Sequence, residues 1–237
     1  MAKTSGMPSR SAEAYEVLRH DLIAGTLAPG EKLILADLQD RYGIGAMPLR
    51  EALNRLAAEQ FVVKNEGRGF SVPPLDAMAF LEIQNARIVI EAAALRETIA
   101  ERTREWEDRL VLAFYRLSKS ATAGPDFLLT QEWSETHAIF HRELLSGSRN
   151  TWLLSFAGQL FEQSARYRAR RRQIDAGHLP GRDDLVDEHR EIMDAAIAGD
   201  SKAATAKLVE HYRRSVETVL GETVELSSDG LRFFRRG

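Results

Sequence analysis

The chain contains no cysteine. Disulfides, thiolate zinc sites, iron–sulfur clusters and cysteine nucleophiles are therefore excluded. It has no apolar run of the ~18 residues that a membrane span requires. The N-terminal segment MAKTSGMPSRSAEAY lacks the apolar core of a secretory signal. Net charge is also scarce: 32 Lys and Arg stand against 35 Asp and Glu, a formal −3. A molecule coated in positive charge for nucleic acid is thus ruled out, while a local basic face is not. What remains is a cytoplasmic protein of 237 residues, long enough for two modest domains.

The composition changes near residue 75. Most turn signals precede it: Ala28-Pro29-Gly30, Gly43 to Pro48, Gly67 to Gly69 and Pro73-Pro74. Long segments with helical periodicity follow. We expect a mainly α protein of three parts: a first domain over 1–75, an all-α helical bundle over 76–220, and a polar tail over 221–237.

In the first part, Ala14, Val17, Leu18, Leu22 and Ile23 recur at helical spacing and Gly25 closes that helix. Leu35 to Tyr42 forms a second helix, and about Ala46 to Glu59 a third. Phe61-Val62-Val63 and Phe70-Ser71-Val72, around a turn from Asn65 to Gly69, predict two strands of a hairpin. Three helices and a hairpin match a winged helix-turn-helix, in which one helix enters the major groove and another braces it. The third helix has two faces. Leu49, Ala52, Leu53 and Leu56 form its apolar stripe; Met47, Arg50 and Asn54 lie opposite. Arg can take guanine bidentately and Asn can take adenine. Arg68, between two glycines, can approach a phosphate or the minor groove. The same pattern is also that of a packed helical subdomain with a surface Arg. Residues 1–75 hold nine basic and nine acidic residues, so charge does not decide between the two readings.

The runs Leu27-Ala-Pro-Gly-Glu-Lys-Leu33, Pro48-Leu-Arg-Glu-Ala-Leu53-Asn-Arg-Leu56 and Gly67-Arg-Gly69-Phe-Ser-Val72 resemble the GntR family of bacterial transcription regulators. The resemblance implies sequence-specific binding of double-stranded DNA by a homodimer at a palindromic operator. Many members carry Ser-Arg-Thr before the proline; here it is Gly45-Ala46-Met47. The missing guanidinium at Ala46 removes a contact worth about 1–3 kcal/mol of discrimination. The family's usual operator is therefore not expected. Arg50 matches a second DNA-contacting Arg of the family.

The second part predicts helices over 76–102, 105–122, 126–146, 150–175, 182–198 and 201–220. Of six histidines, His137 and His141 are spaced i, i+4 and share a helix face. His189 and His211 fall near the middle of two later helices. Three helices can thus aim four imidazoles at one point, and bundle interiors are a recurrent place for metals. A nitrogen-only set suits zinc, nickel, copper or iron. Spacing alone also fits four core or surface histidines that bind nothing. Arg87 and Glu91, likewise i, i+4, read by themselves as a surface ion pair worth a few tenths of a kcal/mol. Arg166 to Arg172 reads as a solvated basic face from which one turn, Arg166 or Arg170, could point inward.

Arg87-x-x-x-Glu91, Phe140-His141, Glu188-His189, Ala198-Gly199-Asp200 and His211 resemble the all-helical FCD ligand-binding domain of the FadR branch of that family. The resemblance implies a metal held by an Asp, a His four residues later, and two further His. In this sequence the first position is His137, leaving a site of four neutral imidazoles, His137, His141, His189 and His211. The ion expected there is a divalent transition metal, zinc or nickel. The site is one unit more positive than usual and attracts an anion more strongly. The resemblance further implies that Arg87 holds the carboxylate of a small organic acid effector. Gly43 to Leu53, Arg104-Glu-Trp106-Glu107 and His137-Ala-Ile-Phe-His141 are similar to the CsiR-like branch, which responds to dicarboxylates. Repression relieved by ligand is the expected logic. Two rivals stand beside it. One is a metal-dependent hydrolase using Glu188 or Glu135 as base. The other is a regulator for which metal itself is the signal.

Overall fold

Capping chemistry sets where the helices begin and end. In the computed structural model, Ser9, Thr103, Thr130 and Asp200 each accept a bond from a backbone N–H in the first turn of the helix that follows. Gly25 and Gly43 close helices in the left-handed conformation that glycine adopts without penalty. The structure describes residues 9–124, 127–174, 182–221, 224–226 and 233–235. The chain divides into two compact units, Met1–Asp76 and Ala77–Gly237.

The first unit runs α1 (Arg10–Ala24), β1 (Lys32–Leu33), α2 (Leu35–Tyr42), α3 (Ala46–Ala58), β2 (Val63–Asn65) and β3 (Gly69–Ser71). The three strands form one antiparallel sheet in the order β1-β3-β2. Leu18, Leu22, Leu27, Leu49, Leu53, Leu56 and Phe61 are almost wholly buried at its centre. Each such side chain contributes about 1.5–3 kcal/mol by leaving water. Two tyrosines fasten the helices: Tyr15 donates to Glu59 (2.6 Å), joining α1 to the end of α3, and Tyr42 donates to Asp21 (2.6 Å), joining α2 to α1.

This unit differs from the sequence reading in its strands. Phe61 and Val62 are not in the hairpin; they plug the core, and the ladder starts at Val63. Gln60, with a positive φ of 63°, turns the chain out of α3 and directs Phe61 inward. The turn is then only Glu66 to Arg68, and Asn65 pairs with Gly69. The third strand, β1, has two residues and was not expected.

The second unit runs α4 (Ala77–Ala100), α5 (Arg104–Ser120), a 3-10 turn (Phe127–Leu129), α6 (Gln131–Leu145), α7 (Thr151–Ile174), α8 (Arg182–Ile197), α9 (Ser201–Leu220), β4 (Val224–Leu226) and β5 (Phe233–Arg235). Helix α4 packs against α7 and α9, α5 against α6, and α8 against α9. Leu95, Trp106, Leu110, Phe140, Leu144, Ile192 and Leu208 form the heart of the core. The single helix expected over 126–146 is broken: Thr130 ends the 3-10 turn and caps α6 through the Trp133 N–H (3.1 Å). Within the stretch expected as a polar tail, β4 pairs with β5 antiparallel. Among the described residues no helix is long and apolar enough to cross a membrane.

Candidate metal centre and DNA-reading helix

Four histidines converge inside the second unit. His137 and His141 come from α6, His189 from α8 and His211 from α9, and one nitrogen of each lies within 4.8 Å of the others. Ring centroids of His137 and His141, and of His189 and His211, are 4.6 Å apart. All four rings are buried. In His137, His141 and His189 burial penalises the charged form, and neighbouring imidazoles add to the effect. His137 and His141 are held well below the ordinary histidine value, and His189 is brought down to about 3. These three are thus neutral ligands-in-waiting at physiological pH.

Neighbouring groups orient two of the rings. His189 Nδ1 donates to the Leu185 carbonyl (2.7 Å) and His211 Nδ1 to Glu188 (2.9 Å). In a neutral ring whose Nδ1 donates, Nε2 carries the free lone pair. A metal-binding imidazole is held in this manner. Glu188 also accepts from Arg214 (3.1 Å). Burial alone would raise its pKa; the bonds from His211 and Arg214 outweigh that and lower it. His189 Nε2 and both nitrogens of His141 are buried with no hydrogen-bond partner. A neutral buried nitrogen left unsatisfied costs about 1–3 kcal/mol. The four residues fit a divalent transition metal in donor type and number, and His141 and His189 add buried nitrogens with unmet bonding.

A second polar network lies against the first. Arg87 and Glu91 are buried on α4, not at the surface as the bare spacing suggested, with Arg87 Nε 2.7 Å from Glu91 Oε1. Arg87 also donates to Tyr212 Oη (3.0 Å) and Ser164 Oγ (3.3 Å), and Gln84 donates to Ser164 (2.8 Å). Tyr212 donates to the other oxygen of Glu91. Burial opposes the charge of Arg87, but Glu91 and Tyr212 more than compensate and its pKa is raised.

On α7 Arg166 is buried, as one of the two expectations had it, and Arg168 is the arginine beside the imidazoles. Its guanidinium lies over the Phe161 ring (5.0 Å), the ring against which His137 and His141 pack, and its charge is felt at His137 and His189. Arg166 is buried and donates to Gln163 on its own helix (3.3 Å). The side chain of Arg170 lies outside the described residues. The sequence reading passed over Arg168, Gln84, Ser164 and Tyr212, none of which stands out from its neighbours by pattern.

In the first unit, α3 exposes Met47, Arg50 and Asn54 and buries Leu49, Ala52, Leu53 and Leu56. Asn54 is engaged at both ends of its amide: Nδ2 donates to the Arg50 carbonyl (2.9 Å), and Oδ1 accepts from Lys64 on β2 (3.2 Å). It docks the hairpin on the helix as well as facing outward. Arg68 lies exposed at the hairpin turn.

Two family models cover these two units. Residues 10–72 match the bacterial regulatory proteins of the gntR family, and residues 82–214 match the FCD domain. The chain belongs to the GntR family of transcriptional regulators and carries an FCD effector-binding domain. It is 32% identical over 208 residues to the HTH-type transcriptional repressor GlaR of Escherichia coli, spanning 86% of this chain and 93% of that one. It is 31% identical over 207 residues to the HTH-type transcriptional regulator BphR of Paraburkholderia xenovorans, spanning 86% and 83%. Its fold is that of E. coli McbR/YncC, with a TM-score of 0.76 at 21% identity over 91% of this chain and 99% of that one. These relatives and families are transcription regulators and not enzymes, which sets the hydrolase reading aside. The two candidate bases fit that outcome: Glu188 is bonded to His211 and Arg214, and Glu135 is exposed and bonded to Gln131.

Proposed function

We propose that this GntR regulator is a DNA-binding homodimer controlled by a small organic acid, a dicarboxylate in the first instance, bound beside a divalent transition metal. His137, His141, His189 and His211 hold the metal, zinc or nickel. The observation that carries the reading is the set of four buried imidazoles, one nitrogen of each within 4.8 Å of the others, with His189 Nε2 and both nitrogens of His141 lacking any hydrogen-bond partner. When bound, the ion supplies a positive centre for an anionic ligand. Glu188 and the Leu185 carbonyl hold two of the rings in the tautomer that presents Nε2. Arg87 arrives already neutralised by Glu91, so it offers hydrogen-bond direction more than net charge. Arg168 adds a positive charge beside the imidazoles. Arg166 and Arg170 remain candidates for the effector's second carboxylate.

On DNA, Arg50 and Met47 read bases from α3, Asn54 stands beside them, and Arg68 serves the backbone or minor groove from the hairpin turn. The logic is repression relieved by the acid. A hundredfold fall in operator affinity requires ~2.7 kcal/mol of coupling between acid and DNA binding. The test has two arms. Metal is measured in full-length protein purified without a histidine tag; about one ion per chain is expected, and less in His141→Ala. A stable metal-free protein whose His141→Ala variant binds small carboxylates normally overturns the site. Footprinting upstream of the protein's own gene, with Arg50→Ala as control, tests the reading helix. Unchanged sequence-specific binding by that variant overturns the assignment. Operator affinity with and without chelator, at fixed acid, separates an acid sensor from a sensor of the metal itself.

A further inference from the structure

Met47 has the highest exposure among the large apolar side chains of the described residues, at 76%, and it lies on the DNA-reading helix. The core-facing residues of α3, Leu49, Ala52 and Leu53, are buried to 2% exposure or less, so packing does not account for it. Met47 precedes Arg50 by three residues, so the two side chains are neighbours on one helical face. Arg50 is exposed, and among the described residues its side chain forms no hydrogen bond or ion pair. Asn54, a turn further on, has its amide occupied by the Arg50 carbonyl and Lys64. The outward face therefore presents one cation without a bonding partner among the described residues and one unbranched, polarizable apolar group.

From this we infer that Met47 is a specificity-determining residue that selects a thymine beside the base pair taken by Arg50. In the major groove only thymine presents a methyl group, at C5, and an apolar side chain is the partner that contact requires. Burying the Met47 tip against that methyl removes from water both a protein surface that is otherwise exposed and the methyl itself. The preference is for the methyl, so thymine and 5-methylcytosine satisfy it while uracil and cytosine do not. This inference rests on α3 being the reading helix.

The experiment starts from the duplex that the full-length protein selects out of a random-sequence pool. Each thymine of one half-site is replaced in turn by deoxyuridine, which keeps base pairing and deletes only the methyl. One position per half-site is expected to lose affinity about fourfold, the worth of burying one methyl group. Met47→Ala is expected to bind the thymine duplex about as weakly as the wild type binds the uracil duplex, and to be indifferent to the replacement. Met47 is at the surface, so this variant leaves the core untouched. No uracil penalty at any thymine, or a penalty that persists in Met47→Ala, overturns the inference. Failure of the protein to select any duplex, or selection unaffected by Arg50→Ala, overturns the reading helix itself and is a separate outcome.

Discussion

Replacing Arg87 with Met leaves Glu91 stranded in the bundle, and the cost can be worked two ways. The pair is 2.7 Å apart with both side chains 2% exposed. Removing one partner of such a buried pair costs about 3–5 kcal/mol. The second route sets a ceiling, because a stranded carboxylate escapes its charge by taking a proton. From an ordinary glutamate value of ~4.3 to pH 7 is about 2.7 units, which at ~1.36 kcal/mol each is about 3.7 kcal/mol. The two routes agree. The second adds a direction: in the variant the folded state holds the proton more tightly than the unfolded chain, so its stability falls as pH rises above ~4.3. The penalty of Arg87→Met is therefore about 4 kcal/mol at pH 7 and about 1 kcal/mol at pH 5, where protonation is cheap. All three tryptophans, Trp106, Trp133 and Trp152, lie in the second unit, so their fluorescence in urea reports on that unit alone. Adding Glu91→Gln should recover at least half of the loss at pH 7. An equal penalty at both pH values, or one under about 1 kcal/mol at pH 7, refutes the reasoning.

Three further outcomes follow from the same structure. His141→Phe removes two unsatisfied buried nitrogens and should stabilise chelator-treated protein by about 1 kcal/mol or more while abolishing any stabilisation by added zinc; urea unfolding with and without metal reads the inversion of sign. His137, His141 and His189 have folded-state values below that of the unfolded chain, so the stability they contribute is present above pH ~6.5 and is lost as pH falls. Tryptophan fluorescence of chelated protein should show weakening from pH ~6.5 toward the His189 value of about 3. In the first unit, burial and the bond to Glu59 push Tyr15 up to about 12, so what it contributes is present below pH ~10 and lost on approaching pH 12. Tyr15→Phe should flatten that alkaline limb in a circular-dichroism titration.

The helices were largely legible because their ends carry local chemistry. Gly25 and Gly43 stop α1 and α2 where the apolar periodicity lapses, and Asp200 caps α9 from its own side chain. What escaped depends on contacts distant in sequence. Lys32–Leu33 is too short to show a period and becomes a strand only because β3 offers Phe70 and Ser71 as partners. Phe61 and Val62 have the composition of a strand, but the left-handed turn at Gln60 sends them into the core. At the candidate metal site the i, i+4 pair His137 and His141 was visible by itself. The mid-helix positions of His189 and His211 allow them to join it, and the family resemblance favours that over four histidines that bind nothing. Arg87 and Glu91 carry the same i, i+4 pattern as a surface ion pair, and only the packing of α7 and α9 over α4 makes the pair a buried one. In the run from Arg166 to Arg172, periodicity cannot rank guanidiniums that all sit on one helix. The position of Phe161 singles out Arg168.

The two buried networks share a hinge of two adjacent residues. His211 belongs to the imidazole cluster and is tied to Glu188 on α8. Tyr212, the next residue, donates to Glu91 and accepts from Arg87 on α4. A change in the position of His211 therefore acts on the Arg87–Glu91 pair through one peptide unit and one hydroxyl. Spatial contiguity alone does not make a signalling route; that requires two states whose balance the ligand shifts. The chemistry here supplies a reason for two such states. Without a metal, buried nitrogens of His141 on α6 and His189 on α8 stay unmet. A metal held by the proposed site would join the same rings to a common centre, and Tyr212, the neighbour of His211, is the residue through which that would reach Glu91 and Arg87. Helix α4, which carries Arg87 and Glu91, begins at Ala77, directly after the last residue of the DNA-binding unit.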